Sequence, residues 1–534
     1  MSARTVAVYD TTLRDGSQGH GLSLTSQDKL KIARALDALG VSYIEGGWPG
    51  SNPKDIEFFE AAAREHWKHA RIAAFGSTRK AGTVVDQDRN VQLLLEANTP
   101  TVTIVGKASR FQVDRVLGTT AEENLRMVAD TVAFLKRNDR EVLFDAEHFF
   151  DGWNDDRDYA LSVCQAAAAA GADAIILCDT NGGAMPGLVF EAVKEIGALL
   201  SCPVGIHTHN DCELAIANAV AAVEAGAIQV QGTVNGYGER VGNANLCSLI
   251  PVVEHKMGFQ CLPEGNLHHL TETSRYIAEV ANVIHDARLP FVGTHAFTHK
   301  AGLHVNAVAK DPVAYEHMDP EIVGNGRHVL VSELSGRSNV IMKAETFGID
   351  LRDQPQIVTR LVAQIKELEH QGYWFEDADA SLELLIRRAM DGYVAPFEAL
   401  DYTVLAEYRR SQGMLSEAMV KLDIHGETYH TASEGNGPVN ALDTATRKAL
   451  LGFYPQIANV ELEDYKVRVL DDHHGTGAVV RVWIRSGDGV RSWQTVGSSP
   501  NVIAASWMAL ADSLTYSLVV PVNESAAKPS MASD

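Results

Sequence analysis

From its first residues the chain alternates short β-branched apolar runs with amphipathic helical stretches, at a repeat of about 25 to 35 residues. Eight such runs stand out: Thr5 to Asp10, Val41 to Gly46, Arg71 to Gly76, Thr101 to Val105, Glu141 to Glu147, Ala174 to Asp179, Val204 to His209 and Ile228 to Val234. Helical periodicity follows them, as in Ser26 to Leu39, Glu122 to Lys136, Asp158 to Ala170 and Cys212 to Ala225, with Gly40, Gly171 and Gly226 as stop signals. Eight strand-helix units within residues 1–258 predict an α/β fold built on a closed (β/α)8 TIM barrel. An open doubly wound sheet is the competitor, and its G-x-G-x-x-G turn is missing after the first strand.

The pattern then changes twice. Residues 259–400 carry helical periodicity in Leu267 to His285 and Gln356 to Gln371, separated by Gly- and Pro-rich turns, and read as a helical linker subdomain. Residues 401–522 return to alternating strands and contain an approximate repeat, one copy ending in Thr428 to Leu451 and the other in Ser492 to Leu514. Each copy passes from a strand through a small Gly/Ser-rich turn into an amphipathic helix, which predicts a pseudo-twofold C-terminal α/β domain. The tail, 523–534, has a disordered composition.

At 534 residues, with 46% hydrophobic and 22% charged residues, the chain has room for two or three cores. A formal charge of −23 argues against nucleic-acid and anionic-membrane partners. The N-terminus lacks the basic-then-apolar layout of a signal peptide, and no run of about 18 uncharged apolar residues occurs, so a cytoplasmic location is expected. Six cysteines without a C-x-x-C pair read as reduced, structural thiols rather than a redox site.

Barrel enzymes draw their chemistry from the C-terminal ends of strands, and here those ends are polar. The first strand runs into DTTLRDGSQ, the second ends at Glu45, the fifth carries Asp145, Glu147 and His148, and the sixth carries Asp179, Thr180 and Asn181. The seventh ends in HTHND and the eighth runs into GTVNGYGERVGNAN. His207 and His209, two apart on a strand, face the same way, into the barrel mouth. In a closed barrel the loops after strands 1 and 8 lie beside them, so Asp15 can add a carboxylate and Asn243 a carbonyl oxygen to a divalent metal site for Zn, Mn or Mg. A pair of hydrogen-bonded histidines is the bland alternative, and neighbouring carboxylates weigh against it. Arg14 can stabilise a developing oxyanion or close a salt bridge across the mouth. Glu147 can bind substrate or move a proton, or serve only as a partner of Arg14 or Arg240. Glycines 46, 47, 182, 183, 236, 238 and 242 permit tight turns near a ligand.

DTTLRDGSQ, HTHND and GYGERVGNANL, in this order and at these strand ends, resemble the family of 2-isopropylmalate, homocitrate and citramalate synthases. The resemblance extends to HAFTHKAGLHVNAV (His295 to Val308) and to the C-terminal repeat, which is similar to that family's regulatory dimerisation domain. IEGGWPGSNPKD (Ile44 to Asp55), FDAEHFFDG and VGSSPNVIAASWMALADSL look most like the citramalate branch, whose acceptor is pyruvate; isopropylmalate synthases usually carry an Ala-Gly-Phe-Pro-like stretch at Gly46 to Pro49. The resemblance implies Asp15, His207, His209 and Asn243 as metal contacts, Arg14, Glu147 and His304 as catalytic groups, and Arg14, Glu147 and Thr180 as contacts to the 2-oxo acid. It also implies acetyl-CoA as co-substrate, a homodimer, a branched-chain amino-acid effector (isoleucine or leucine) and a place in isoleucine biosynthesis. A hydroxymethylglutaryl-CoA-type lyase shares the barrel but carries a cysteine in the loop after strand 8, and Gly236 to Asn245 has none. A biotin-dependent carboxyltransferase needs a lysine at a strand mouth that is absent from Glu141 to His148 and Ala174 to Gly183.

Overall fold

The computed structural model describes residues 4–50, 53–332, 335–411, 413–470 and 475–521; the expected tail at 523–534 lies outside the described residues. The chain divides into two compact units, one of residues 1–297 with 318–327 and one of residues 298–317 with 328–534.

The first unit is a closed barrel of eight parallel strands in sequence order: β1 (Ala7–Asp10), β2 (Tyr43–Gly47), β3 (Arg71–Ser77), β4 (Thr101–Lys107), β5 (Glu141–Glu147), β6 (Ala174–Asp179), β7 (Val204–Thr208) and β8 (Gln229–Gly232). β1 pairs with β2 on one side and β8 on the other, closing the ring. Both faces of these strands are buried, which explains their nearly continuous apolar runs. Tyr9, Ala73, Leu143, Ile176 and Cys178 pack inside the ring. Val8, Ile44, Ile104, Phe144, Leu177, Ile206 and Val230 face the surrounding helices. Helix Ser26–Leu39 starts from a capping box, Thr25 with Asp28.

β4 runs two residues beyond its expected end, because Gly106 and Lys107 continue the ladder opposite Ala146 and Glu147. Gly106 is a site of close packing there rather than a break: a Cβ on it would lie 2.8 Å from the Phe144 ring. β8 is shorter than expected, since Val234–Gly236 turns into a 3₁₀ segment. Residues 259–297 belong to this unit, and helix Leu270–Val280 within them packs on Ser26–Leu39.

In the second unit, helices Arg337–Thr346, Pro355–His370 and Asp379–Ala389 share a core that includes Val340, Leu361, Ile365, Phe375 and Ile386. Two antiparallel three-stranded sheets follow, each continued by a helix. Strands Glu398–Arg409, Gly413–Ile424 and Glu427–Gly435 lead to helix Pro438–Leu450; strands Glu461–Val469, Val480–Gly487 and Ser492–Ser499 lead to helix Val502–Val519. Val420, Leu422, Leu442, Leu450, Ile484 and Leu510 form one core from both halves, as the repeat predicts. Val502–Val519 is the one described helix long and apolar enough to cross a membrane, and its buried residues, among them Ala505, Leu510 and Leu514, join this core.

Candidate functional site

The turn after β1 is tied down from within. The Asp10 carboxylate accepts hydrogen bonds from the Thr12 amide (2.9 Å) and hydroxyl (2.8 Å), and the Val234 amide donates to the same hydroxyl (2.9 Å). This local Asx arrangement holds the chain so that Arg14 and Asp15 both line a cavity of about 380 Å³ at the C-terminal end of the barrel. Glu147, Thr180, His207 and His209 line it as well.

Asp15 Oδ2 lies 3.3 Å from His207 Nε2 and 3.9 Å from His209 Nε2, and the two Nε2 atoms are 3.2 Å apart. All three residues are buried. Gln231 fixes the His207 ring: its Nε2 donates to Asp145 (3.2 Å), which turns its Oε1 onto His207 Nδ1 (2.9 Å), so Nδ1 donates and Nε2 is the atom turned to Asp15, whose carboxylate favours a proton there against the effect of burial. Two imidazole nitrogens and a carboxylate oxygen converging this closely are a donor set for a divalent cation. Groups this close need a shared positive charge, supplied by a proton on His207 Nε2 or by a cation in its place. The residues fit a metal.

Asn243 reaches this cluster because the loop after β8 bridges back to the end of β7 at His209. Gly242 makes the bridge feasible, with φ of 91° and the Gly236 carbonyl 1.9 Å from where a Cβ would stand. The Asn243 Nδ2 donates to Asp15 Oδ2 (2.8 Å), while its Oδ1 is buried without a hydrogen-bond partner; exchanging the two amide atoms would offer the oxygen to a cation.

Arg14 is anchored through Nε to Glu45 (2.5 Å), lies 3.4 Å from Asp15 and stacks on the Phe75 ring at 3.9 Å. Glu45 is fully buried and also accepts from the Tyr9 hydroxyl (2.9 Å). Burial opposes ionisation of Asp15, yet Arg14 and His207 outweigh it and hold the carboxyl well below the ordinary range. Burial likewise acts against the Arg14 charge, and Glu45 and Asp15 more than restore it. Burial and the neighbouring His207 push His209 down to about 4, so it is a neutral ligand at neutral pH. Burial raises Asp145 to about 7, with His207 opposing and Glu45 reinforcing.

Glu147 pairs with Lys107, not with Arg14 or Arg240 as its sequence neighbourhood suggested; Arg14 is taken by Glu45, and Arg240 by Asp211 (2.6 Å). The reason is the longer β4, which brings Lys107 opposite Glu147. Thr180 Oγ1 accepts from the His148 amide (2.8 Å), leaving its hydroxyl hydrogen free to donate. His304 lies in the second unit, exposed and stacked on Tyr315 with ring centroids 4.2 Å apart. Sequence reasoning marked Glu45 only as a polar strand end and Trp48 only as part of the Gly46 to Pro49 stretch that resembles the citramalate branch, and it gave no role to Lys107, Gln231 or Phe75.

Residues 5–277 match the family described as HMGL-like, 291–373 the homocitrate synthase post-HMGL domain-like family, and 376–518 the LeuA allosteric (dimerisation) domain. The (R)-citramalate synthase of Aquifex aeolicus (strain VF5) is 51% identical over 97% of this chain and 98% of its own. The (R)-citramalate synthase of Geobacter sulfurreducens is 49% identical over 96% and 97% respectively. The probable 2-isopropylmalate synthase of Methanopyrus kandleri is 32% identical over 94% and 96%.

Proposed function

The chain belongs to the citramalate synthase family of HMGL-like acyltransferases, and from that premise we propose how it condenses acetyl-CoA with pyruvate to give (R)-citramalate and free CoA. The observation that carries the mechanism is the convergence of Arg14 with Asp15, His207 and His209 on one cavity. Asp15, His207 and His209, with Asn243 as a fourth contact, would hold a divalent metal, which when bound supplies Lewis-acid polarisation of a 2-oxo acid.

The chain's own groups do the rest. Arg14 donates to the keto oxygen as negative charge builds on it, and the Glu45 anchor keeps the guanidinium in place before substrate arrives. Thr180 donates its free hydroxyl hydrogen to the substrate carboxylate. Glu147, on the cavity wall, binds the substrate or relays a proton, its charge balanced by Lys107. A base takes a proton from the acetyl methyl group, the resulting carbanion forms the new C–C bond at the keto carbon while the carbonyl π pair moves to oxygen, the alkoxide takes up a proton to become the hydroxyl, and water adds to the thioester and cleaves its C–S bond, leaving a carboxylate and CoA as a thiol. The role of His304 in proton transfer rests on the family resemblance.

A homodimer through the C-terminal domain and control by isoleucine or leucine are supported by the match to an allosteric dimerisation domain. Six free cysteines support a reducing, cytoplasmic setting. The test is thiol release from acetyl-CoA with pyruvate, 2-oxobutanoate, 2-oxoisovalerate and 2-oxoglutarate. Pyruvate is expected to give the highest kcat/KM; a clear preference for either of the last two would sink the assignment.

A further inference from the structure

The cavity is not polar throughout. Arg14, Asp15 and the two histidines occupy one side, while Trp48, Phe75, Val105 and Leu117 supply apolar wall. These two regions meet at Arg14, whose guanidinium lies on the face of Phe75; Phe75 in turn meets the Trp48 ring edge-on, 5.5 Å between centroids at 79°. In a 2-oxo acid the carbon substituent is joined to the same carbon as the keto oxygen. With the keto oxygen held by Arg14 and the carboxylate assigned to Thr180, that substituent is the group left to meet the apolar wall beside Arg14.

Trp48 is fixed in that wall more firmly than packing requires. Its Nε1 donates to Asn90 Oδ1 (2.7 Å), and Asn90 Nδ2 donates to the backbone carbonyl of Ser77 at the end of β3 (2.9 Å). Its backbone amide donates to Asp55 Oδ2 (2.9 Å). Asp55 is in a buried ion pair with Lys29 (2.5 Å), and Lys29 Nζ also donates to the Gly46 carbonyl (3.1 Å). Gly47 lets the chain pass close over this pair: its φ is 148°, and a Cβ there would stand 2.5 Å from Asp55 Cγ. A buried ion pair contributes little net stability, so its effect here is geometric. It locks the strand end that presents Trp48.

We infer that Trp48 is a specificity-determining residue, its ring limiting the size of the acceptor's carbon substituent, with Asn90 as the positioning residue that holds the ring at that limit. This inference rests on the acceptor assignment above and deepens it. A wall that cannot retreat excludes a larger substituent sterically, whereas a mobile ring would make room.

The experiment measures kcat/KM for pyruvate, 2-oxobutanoate and 2-oxoisovalerate on the full-length protein and on Trp48→Leu, Trp48→Phe and Asn90→Leu. In Trp48→Leu the preference for pyruvate over 2-oxobutanoate should fall by about tenfold or more, the scale of one methylene in an apolar pocket. Asn90→Leu should move the ratio in the same direction by a smaller factor, although it removes no pocket surface. A merely structural role would lower turnover of all three acceptors together and leave the ratios alone. Ratios within about twofold of the parent in Trp48→Leu and Trp48→Phe, in folded and active protein, overturn the inference. If the parent itself prefers 2-oxoisovalerate, the acceptor assignment fails first, and the two failures are distinguishable.

Discussion

Replacing Arg14 by lysine separates charge from geometry. The guanidinium reaches Glu45 through Nε, lies 3.4 Å from Asp15 through Nη1 and rests on Phe75, so three fixed neighbours aim its remaining N–H groups. A lysine keeps the positive charge that Glu45 and Asp15 require, and avoids the roughly 3–5 kcal/mol that an unpaired buried carboxylate would cost in the alanine variant. It loses the planar fork: an ammonium that satisfies Glu45 has no rigidly placed second donor for the keto oxygen. Loss of one pre-aimed donor to a developing oxyanion costs about 2.7–4 kcal/mol, or about 100- to 1000-fold in kcat. The KM for pyruvate should change by less than about tenfold, because the interaction strengthens only as the charge develops. Steady-state CoA release with saturating acetyl-CoA gives both constants, and urea unfolding checks that stability is kept. Arg14→Lys with kcat within about threefold of the parent would refute the role, since no oxyanion donor of that importance survives loss of its geometry.

Other substitutions test the surrounding reasoning. His207→Ala and His209→Ala should each remove bound divalent metal, read by elemental analysis of the purified protein, and abolish turnover with the far-UV circular dichroism unchanged; full activity of either variant after chelator treatment would exclude the metal role. Burial pushes Asp10 from 3.8 up to about 7, so from about pH 4 to 7 only the unfolded state ionises and rising pH costs stability, the penalty levelling off at about 4 kcal/mol above pH 7. Asp10→Asn should therefore gain about 2–3 kcal/mol relative to the parent between pH 5 and 7.5 in urea unfolding of the barrel, and parallel pH profiles would contradict it. His304→Gln should lower kcat at least about tenfold without shifting the melting temperature, and an unchanged kcat removes it from the proton-transfer scheme. Isoleucine or leucine should lower the rate and raise the melting temperature; if neither amino acid alters either quantity, effector control by them is wrong.

What was legible in the chain follows from which physical rules act locally. The barrel showed through because each strand is buried on both faces and each helix on one, so period and spacing repeat eight times. His207 and His209 could be paired from sequence because side chains two apart on a strand must share a face, and Asp15 joined them because closure of the barrel makes β1 a neighbour of β8. The partners of these groups were not legible. Which acid holds Arg14 depends on where the end of β2 stands relative to the turn after β1, and the pairing of Glu147 with Lys107 depends on a ladder continuing through Gly106. Glycine reads as a strand break in sequence, whereas here the space a Cβ would take is occupied by Phe144. The same limit applies to Trp48. Its stretch, Gly46 to Pro49, marks the branch the chain resembles but says nothing of how the ring is held. Only the Asn90 and Asp55 anchors, which come from two separate helices, turn it from a surface aromatic into a fixed wall. Reactive groups were readable because the strand they sit on dictates their direction, and the groups that hold them still were not, because their positions arise from contacts between strands and loops far apart in the chain.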